Sequence, residues 1–168
     1  ISRQPISRKL MPVASSNAAG QPQGIIGTAN VGSVTGTDLD YAAVLEFQTD
    51  VAAANALSEN CAYVTDPTTS ALLMQRVKFT GTNSPIWEGN VLMGNCAGLP
   101  GMATNQMTAA TMLFGWWQSI VMAEWGVLEL AVNPVQDFTR GLTGLRAWYT
   151  MDVGMRYPAA FSYASTIT

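Results

Sequence analysis

Few residues of this sequence are of the kinds that usually do chemistry. It has 168 residues, with no histidine and with two cysteines, Cys61 and Cys96. A serine or cysteine nucleophile without histidine lacks its usual general base, and no serine–lysine pair or amino-terminal threonine stands in for it. The sequence therefore predicts a protein that is not an enzyme.

The cysteines and carboxylates do not have the spacing of a metal site. Cys61 and Cys96 lie too far apart for a metal knuckle, so we expect two buried, reduced thiols. Asp38 and Asp40 are close in sequence, but they stand at an expected helix start, where acidic side chains interact favourably with the helix dipole. We expect neither a metal nor a cofactor.

Glycine-rich and aromatic segments could in principle bind a ligand. Residues 20–24 and 94–101 lack the ordered glycines and lysine of a phosphate loop, and we interpret them as turns. Aromatic side chains in strand-rich segments are more often core or interface anchors than ligand platforms. This interpretation applies to Trp116, Trp117, Trp125 and Trp148.

The composition predicts a neutral surface over one sizeable core. Hydrophobic residues make up 48% of the chain and charged residues 11%, against about 25% in typical soluble domains. A net charge of -3 opposes electrostatic capture of nucleic acid, so sequence-specific nucleic-acid binding is not expected. The apolar runs are shorter than the roughly 20 residues of a membrane span, and no signal-peptide pattern follows the first residues. We expect synthesis in the cytoplasm and no membrane contact.

Two helices are predicted in the first half of the chain. Residues 1–26 have the composition of an extended arm that leads into a loop. Apolar residues at helical spacing then predict a helix from a cap at Thr37 or Asp38 to about Glu59, with Asn60 as its stop. The apolar positions of that helix are Leu39, Ala43, Phe47, Val51, Ala54 and Leu57.

A strand at residues 61–65 precedes a second predicted helix, and strands dominate thereafter. Asp66 before Pro67 predicts a helix start, and the helix should run to about Gln75. Residues 144–155 alternate in polarity, which predicts a strand with a buried face at 145, 147, 149, 151 and 153. Shorter strands are predicted at 87–93, 95–99, 112–116 and 126–132. This order indicates an α+β fold with helices packed on a mainly antiparallel sheet.

Five segments occur in an order that resembles a known family. They are Gly-Gln-Pro-Gln-Gly-Ile at 20–25, Ala-Tyr-Val-Thr-Asp-Pro at 62–67, Trp-Glu-Gly-Asn at 87–90, and the regions 115–126 and 146–161. Together they resemble the major capsid proteins of tailed bacteriophages. The resemblance implies the Hong Kong ninety-seven type capsid fold, which phage capsids share with encapsulin compartments.

Departures from the family pattern occur within the chain and at its front. Trp116 stands where the family commonly has an acidic residue, and Tyr157 where it often has histidine. Residues 1–11 resemble the strand returning from the family's extended loop, yet only residues 12–19 separate them from the Gly-Gln-Pro segment, where a spine helix is usual. We therefore expect an axial domain plus part of the peripheral domain, truncated on the N-terminal side.

The resemblance implies a domain division and a function. Residues 1–24 would be a residual arm and junction, 25–135 the axial domain, and 136–168 the return to the peripheral domain with its closing strand. The function implied is that of a structural subunit of an icosahedral virion shell, which assembles with itself into pentamers and hexamers and can also meet scaffold and portal proteins. An encapsulin-like shell protein and a β-rich ligand-binding module are the alternatives. Candidate subunit-interface residues are Trp116, Trp117, Trp125, Arg140, Arg146 and Arg156.

Overall fold

The computed structural model describes residues 24–133, 139, 141 and 143–168. Of the extended arm predicted for residues 1–26, only residues 24–26 are described, and Ile25–Gly27 instead forms a 3-10 turn that buries Ile25 in the core. The α-helices of the described part are α1 (Tyr41–Ala53) and α2 (Pro67–Gln75). Its strands are β1 (Gly32–Ser33), β2 (Cys61–Thr65), β3 (Trp87–Gly89), β4 (Met93–Cys96), β5 (Leu99–Ala103), β6 (Met112–Trp116), β7 (Ile120–Asn133), β8 (Gly144–Met155) and β9 (Phe161–Ala164).

A seven-stranded sheet and a separate two-stranded sheet organise this part of the chain. The larger sheet has the order β1-β9-β6-β2-β5-β4-β3, and the smaller sheet is the hairpin β7-β8. Pairing in the larger sheet is antiparallel except between β1 and β9 and between β2 and β5. The predicted α+β class with a mainly antiparallel sheet is confirmed.

The core lies between α1 and the middle of the large sheet. Phe47 of α1 meets Tyr63 of β2 edge to face, with ring centroids 6.1 Å apart, and Tyr63 lies 4.4 Å from Phe114 of β6. All three side chains are fully buried. Since Tyr63 and Phe114 are directly paired across β2 and β6, the sheet register itself builds this aromatic cluster.

Hydrogen bonds at Tyr63 tie the helix to the sheet. Its hydroxyl donates to the Val44 carbonyl oxygen at 3.2 Å and accepts from the Gln48 amide at 3.0 Å. Burial raises the pKa of Tyr63, so the phenol keeps the proton that it donates. Gln48 also donates to the Ala97 carbonyl oxygen at 3.0 Å, which extends the connection to the β4–β5 turn.

Helix α1 is shorter than the sequence predicted at both ends. It begins after Asp40, whose carboxylate accepts from the Ala43 N–H at 2.8 Å, because Asp38 has a φ of 53° and lies outside helical backbone. It ends at Ala53 because Asn55 takes a φ of 56°. The Asn55 N–H then bonds to the Ala52 carbonyl oxygen, the first of the two backbone bonds of a Schellman cap. The predicted bounds at 37–38 and 59–60 are therefore wrong.

Helix α2 begins as predicted, at a capping aspartate followed by proline. The Asp66 carboxylate accepts from the backbone N–H groups of Thr68 at 3.1 Å and Thr69 at 3.3 Å, and both threonine hydroxyls also donate to it. Partial burial favours the neutral acid, but these hydrogen bonds outweigh it and hold the pKa of Asp66 below its usual value. Asp66 is therefore an ionised cap at neutral pH.

Replacing Asp66 with alanine is expected to lower the free energy of unfolding by about 1–2 kcal/mol, because two N–H groups lose their acceptor. Since the pKa of the carboxyl is lowered on folding, its stabilisation is complete above the ordinary value of about 3.9 and is lost as pH falls through the folded-state value. Urea denaturation of the wild type and Asp66→Ala checks this. An equal stability difference at pH 7 and in strong acid would contradict it.

The strands predicted at 87–93 and 95–99 are wrong in their bounds, because each range contains a turn. After β3, the Asn90 side chain accepts from the N–H groups of Leu92 at 2.8 Å and Met93 at 2.7 Å, which reverses the chain. Between β4 and β5, Ala97 has a φ of 49° and Gly98 a φ of 83°. Two successive positive φ values make the tight turn that suits a two-residue hairpin.

Candidate subunit interface

The hairpin of β7 and β8 is the part of the described chain that exposes the most apolar surface. The strands pair antiparallel from Ile120 opposite Met155 to Asn133 opposite Gly144, with an irregularity between Trp125 and Glu129 where β7 carries extra residues. Its exposed large hydrophobic side chains are Val121, Met122, Trp125, Val127, Leu128, Leu130, Val132, Leu145, Trp148 and Tyr149. Val127 and Leu145 have the largest exposed fractions among them, at 84% and 70%.

Strand pairing sorts the hairpin residues onto two faces, since directly opposed residues share a face and neighbours along a strand alternate. We call one the apolar face: Ile120, Met122, Glu124, Leu130, Val132, Leu145, Ala147, Tyr149, Met151, Val153 and Met155. We call the other the mixed face: Val121, Ala123, Trp125, Glu129, Ala131, Arg146, Trp148, Thr150 and Asp152.

The apolar face contacts the core at its base and is open further out. Ile120 and Met155 pack against the core cluster, whereas Leu130, Val132 and Leu145 are exposed. The alternation predicted for residues 144–155 is confirmed, but the prediction that 145, 147 and 149 are buried is wrong. In the described part of the chain nothing packs on the outer hairpin, and burial requires a second layer.

A hydrogen bond crosses the apolar face between its polar members. The Tyr149 hydroxyl donates to the Glu124 carboxylate, and this bond raises the pKa of Tyr149 because it favours the protonated phenol. The bond spans β7 and β8 beside the strand irregularity. It therefore helps to hold the register where the backbone ladder is interrupted.

The mixed face combines exposed aromatic rings with charges of both signs. The Arg146 guanidinium lies 3.9 Å from the centroid of the Trp148 ring, a cation–π stack. Glu129 is directly opposite Trp148, and Asp152 lies nearer the base. Trp125 and Trp148 are 55% and 54% exposed. Large exposed Trp side chains beside Arg are typical of interface hot spots.

The predicted interface residues fall into distinct environments. Trp125 and Arg146 lie together on the mixed face. Trp116 and Trp117 are partly buried against the core, and the Trp117 indole donates to the Ala62 carbonyl oxygen at 2.9 Å. Arg156 is exposed just after β8, and Arg140 lies outside the described residues.

Sequence reasoning missed other members of the hairpin surface. Trp148 is interpreted from the sequence as a core or interface anchor but is not among the candidate subunit-interface residues. Leu145 is predicted to be buried, and no face is predicted for Leu130 and Val132. The signal for Trp148 was available, since Arg146 precedes it by two residues on a strand. Such residues share a face and can stack.

The rest of the described chain shows little reactive chemistry. Cys61 and Cys96 are buried, unpaired thiols, and burial raises the pKa of Cys96 to about 12, which makes it a poor nucleophile. Within 24–133, 139, 141 and 143–168, no group of three His, Cys, Asp or Glu side chains could hold a metal ion. No helix of that part has the length and apolar character to cross a membrane.

Comparison with known proteins identifies the family. The sequence pattern of the phage capsid family matches residues 13–165. The chain belongs to the phage capsid family. One relative of this family member is the major capsid protein of Halomonas phage phiHAP-1, which is 28% identical over 145 residues. That match covers 86% of this chain and 23% of the Halomonas phage protein.

Solved structures show the same fold at low sequence identity. The capsid of a native GTA particle has a TM-score of 0.66 at 17% identity. The match covers 94% of this chain and 60% of the GTA capsid chain. The capsid of an empty GTA particle has a TM-score of 0.64 at 19% identity. The match covers 93% of this chain and 58% of that capsid chain. This capsid-family chain thus spans less than two thirds of the length of these relatives.

Proposed function

We propose that this chain is a structural subunit of a phage or prophage capsid shell, which works by contacts between copies rather than by catalysis. The observation that carries the proposal is the family match over residues 13–165. The exposed hairpin supports it, because an apolar surface of this extent on a chain with few charges suits closely packed neighbours.

The two sheets have different roles in this proposal. The seven-stranded sheet with α1 and α2 serves as the axial domain, which meets its copies around fivefold and sixfold positions. The hairpin serves as part of the peripheral domain, which moves residues 120–133 out of the axial domain expected from the family resemblance. The pairing of β9 with β6 supports counting residues 161–164 with the axial sheet, although they follow the hairpin in sequence.

The apolar face serves as the surface on which a helix of the complete polypeptide packs. Its relatives are longer than this chain, and the family resemblance implies a spine helix of several turns between two segments that only residues 12–19 separate in this sequence. An amphipathic helix laid on Leu130, Val132 and Leu145 would provide the second layer that these side chains lack. Without it, the chain should not close into shells.

The partners follow from the same role. The chain associates with copies of itself, as pentamers and hexamers in the intact protein, and scaffold and portal proteins are further partners. Repeated contacts around a closed shell add up to high stability even when each one is weak. Its place is the virion capsid, after synthesis in the host cytoplasm.

Adding the family's arm and spine helix to this chain is expected to convert irregular association into uniform rings or shells. Light scattering and negative-stain electron microscopy of the two proteins, side by side, measure the change. If both proteins remain monomers at high concentration, the shell function is wrong and a monomeric binding module is favoured instead.

A further inference from the structure

The charges on the mixed face have an arrangement that can complement itself. Arg146 and Asp152 are six residues apart on β8, or about 20 Å along an extended strand. Trp148 and Thr150 lie between them on the same face, a large and a small side chain at equal distances from the midpoint. The midpoint is Tyr149, which belongs to the apolar face.

We infer that the mixed face packs against the mixed face of a second copy, about a two-fold axis that crosses the strands at Tyr149. In this arrangement β8 stacks on the β8 of its partner in the opposite direction. Each Arg146 then faces an Asp152, and each Trp148 faces a Thr150. An isologous contact of this kind uses every pair twice.

The same axis also matches the side chains of β7. Ala131 meets Ala123, so two small residues face each other near the edge of the contact. Glu129 meets Trp125, whose indole N–H is a donor suited to the carboxylate. Large side chains therefore meet smaller or polar ones, which lets two sheet faces approach to the usual spacing of about 10 Å.

A second copy fits this face better than other partners do. The face carries Glu129 and Asp152 against one Arg146, so it does not attract the phosphates of nucleic acid. The apolar face is set apart from it on the opposite side of the hairpin, so both can be covered at once. The inference rests on the proposed function, and it specifies one contact between shell subunits and the symmetry of that contact.

Charge reversal tests the inference in this chain. To suppress association through the apolar face, all proteins carry Leu130→Thr, Val132→Thr and Leu145→Thr. Arg146→Asp or Asp152→Arg alone places like charges opposite each other twice, and each is expected to raise the dimer Kd about tenfold or more. Mixing the two variants restores both opposite-charge pairs. The mixture should therefore form heterodimers as tight as the dimer of the parent, which here is the chain with the three threonine substitutions alone. Sedimentation velocity with one labelled component measures this.

Controls separate this contact from the shell function. Glu59→Arg makes the same charge change as Asp152→Arg at an exposed position outside the hairpin and should leave the dimer Kd unchanged. Circular dichroism should show every variant folded. A monomeric parent, or a mixture that does not recover, overturns the inference. If the chain with the restored helix still forms shells in that case, the proposed function stands.

Discussion

Replacing Gly101 with alanine is expected to lower the free energy of unfolding by about 3 kcal/mol, because no space exists for a methyl group. A Cβ at Gly101 would lie 2.5 Å from Cη2 and 2.6 Å from Cζ3 of the Trp87 ring. The ring cannot easily move, since Trp87 is fully buried and its indole N–H donates to the Asn90 carbonyl oxygen at 2.8 Å. Urea denaturation followed by circular dichroism measures the loss.

Two further variants make this prediction specific. Gly154→Ala is the matched control, because nothing lies within 4 Å of a Cβ there, and it should change stability by less than about 0.5 kcal/mol. Trp87→Phe removes the part of the ring that meets Gly101, so Gly101→Ala should cost less in that background. Equal losses in Gly101→Ala and Gly154→Ala would show that the close approach is not a constraint.

Polar substitution of the outer apolar face is expected to remove the irregular association that occurs through that face while leaving the fold, and association through the mixed face, intact. Leu130→Thr, Val132→Thr and Leu145→Thr replace exposed side chains with a residue that favours strands, so the free energy of unfolding should change little. With less apolar area open to solvent, the irregular aggregates expected of the parent chain should largely disappear in light scattering. In the protein to which the family's spine helix has been added, the same changes should abolish shell formation, because the helix loses the apolar surface on which it packs.

A triple variant elsewhere controls for general solubility. Leu57→Thr, Val77→Thr and Leu92→Thr also replace exposed hydrophobic residues, but outside the hairpin. They should leave both the aggregation of the parent and the shells of the restored protein unchanged. If shells still form after the hairpin substitutions, the prediction that a helix packs on the apolar face is wrong.

Local rules predicted one helix start well and failed elsewhere for physical reasons. Asp66 and Pro67 define the start of α2 through their own backbone and side chains, so the sequence was sufficient. Helix α1 ends at Ala53 and is stopped by Asn55 rather than by Asn60, because both asparagines tolerate a positive φ and packing of Val51 and its neighbours selects the first. Residues 94–101 are interpreted from the sequence as a turn, but the turn is confined to Ala97 and Gly98; its exact position was not predictable because alanine is not a usual residue for positive φ.

The sequence predicts which hairpin residues share a face, but it does not predict which of these side chains are exposed to solvent. Alternation along 144–155 assigned Leu145 and Tyr149 to one face and Arg146 and Trp148 to the other, as the pairing with β7 confirms. Exposure depends on what lies against each face, and a two-stranded sheet supplies no second layer of its own. The family resemblance, carried by ordered short segments, is confirmed by the match over residues 13–165.

The position of β9 between β1 and β6 determines the order in which parts of this protein can fold. Ser162 pairs with Gly32 on one side and with Phe114 on the other, so the sheet joins segments separated by about the whole length of the described chain. Such distant pairings fold slowly, whereas the hairpin of β7 and β8 joins neighbouring strands and can form early. The exposed hairpin can therefore pair before residues 161–164 complete the large sheet. A partly folded chain would then expose the apolar hairpin beside an incomplete large sheet, which favours premature association between chains.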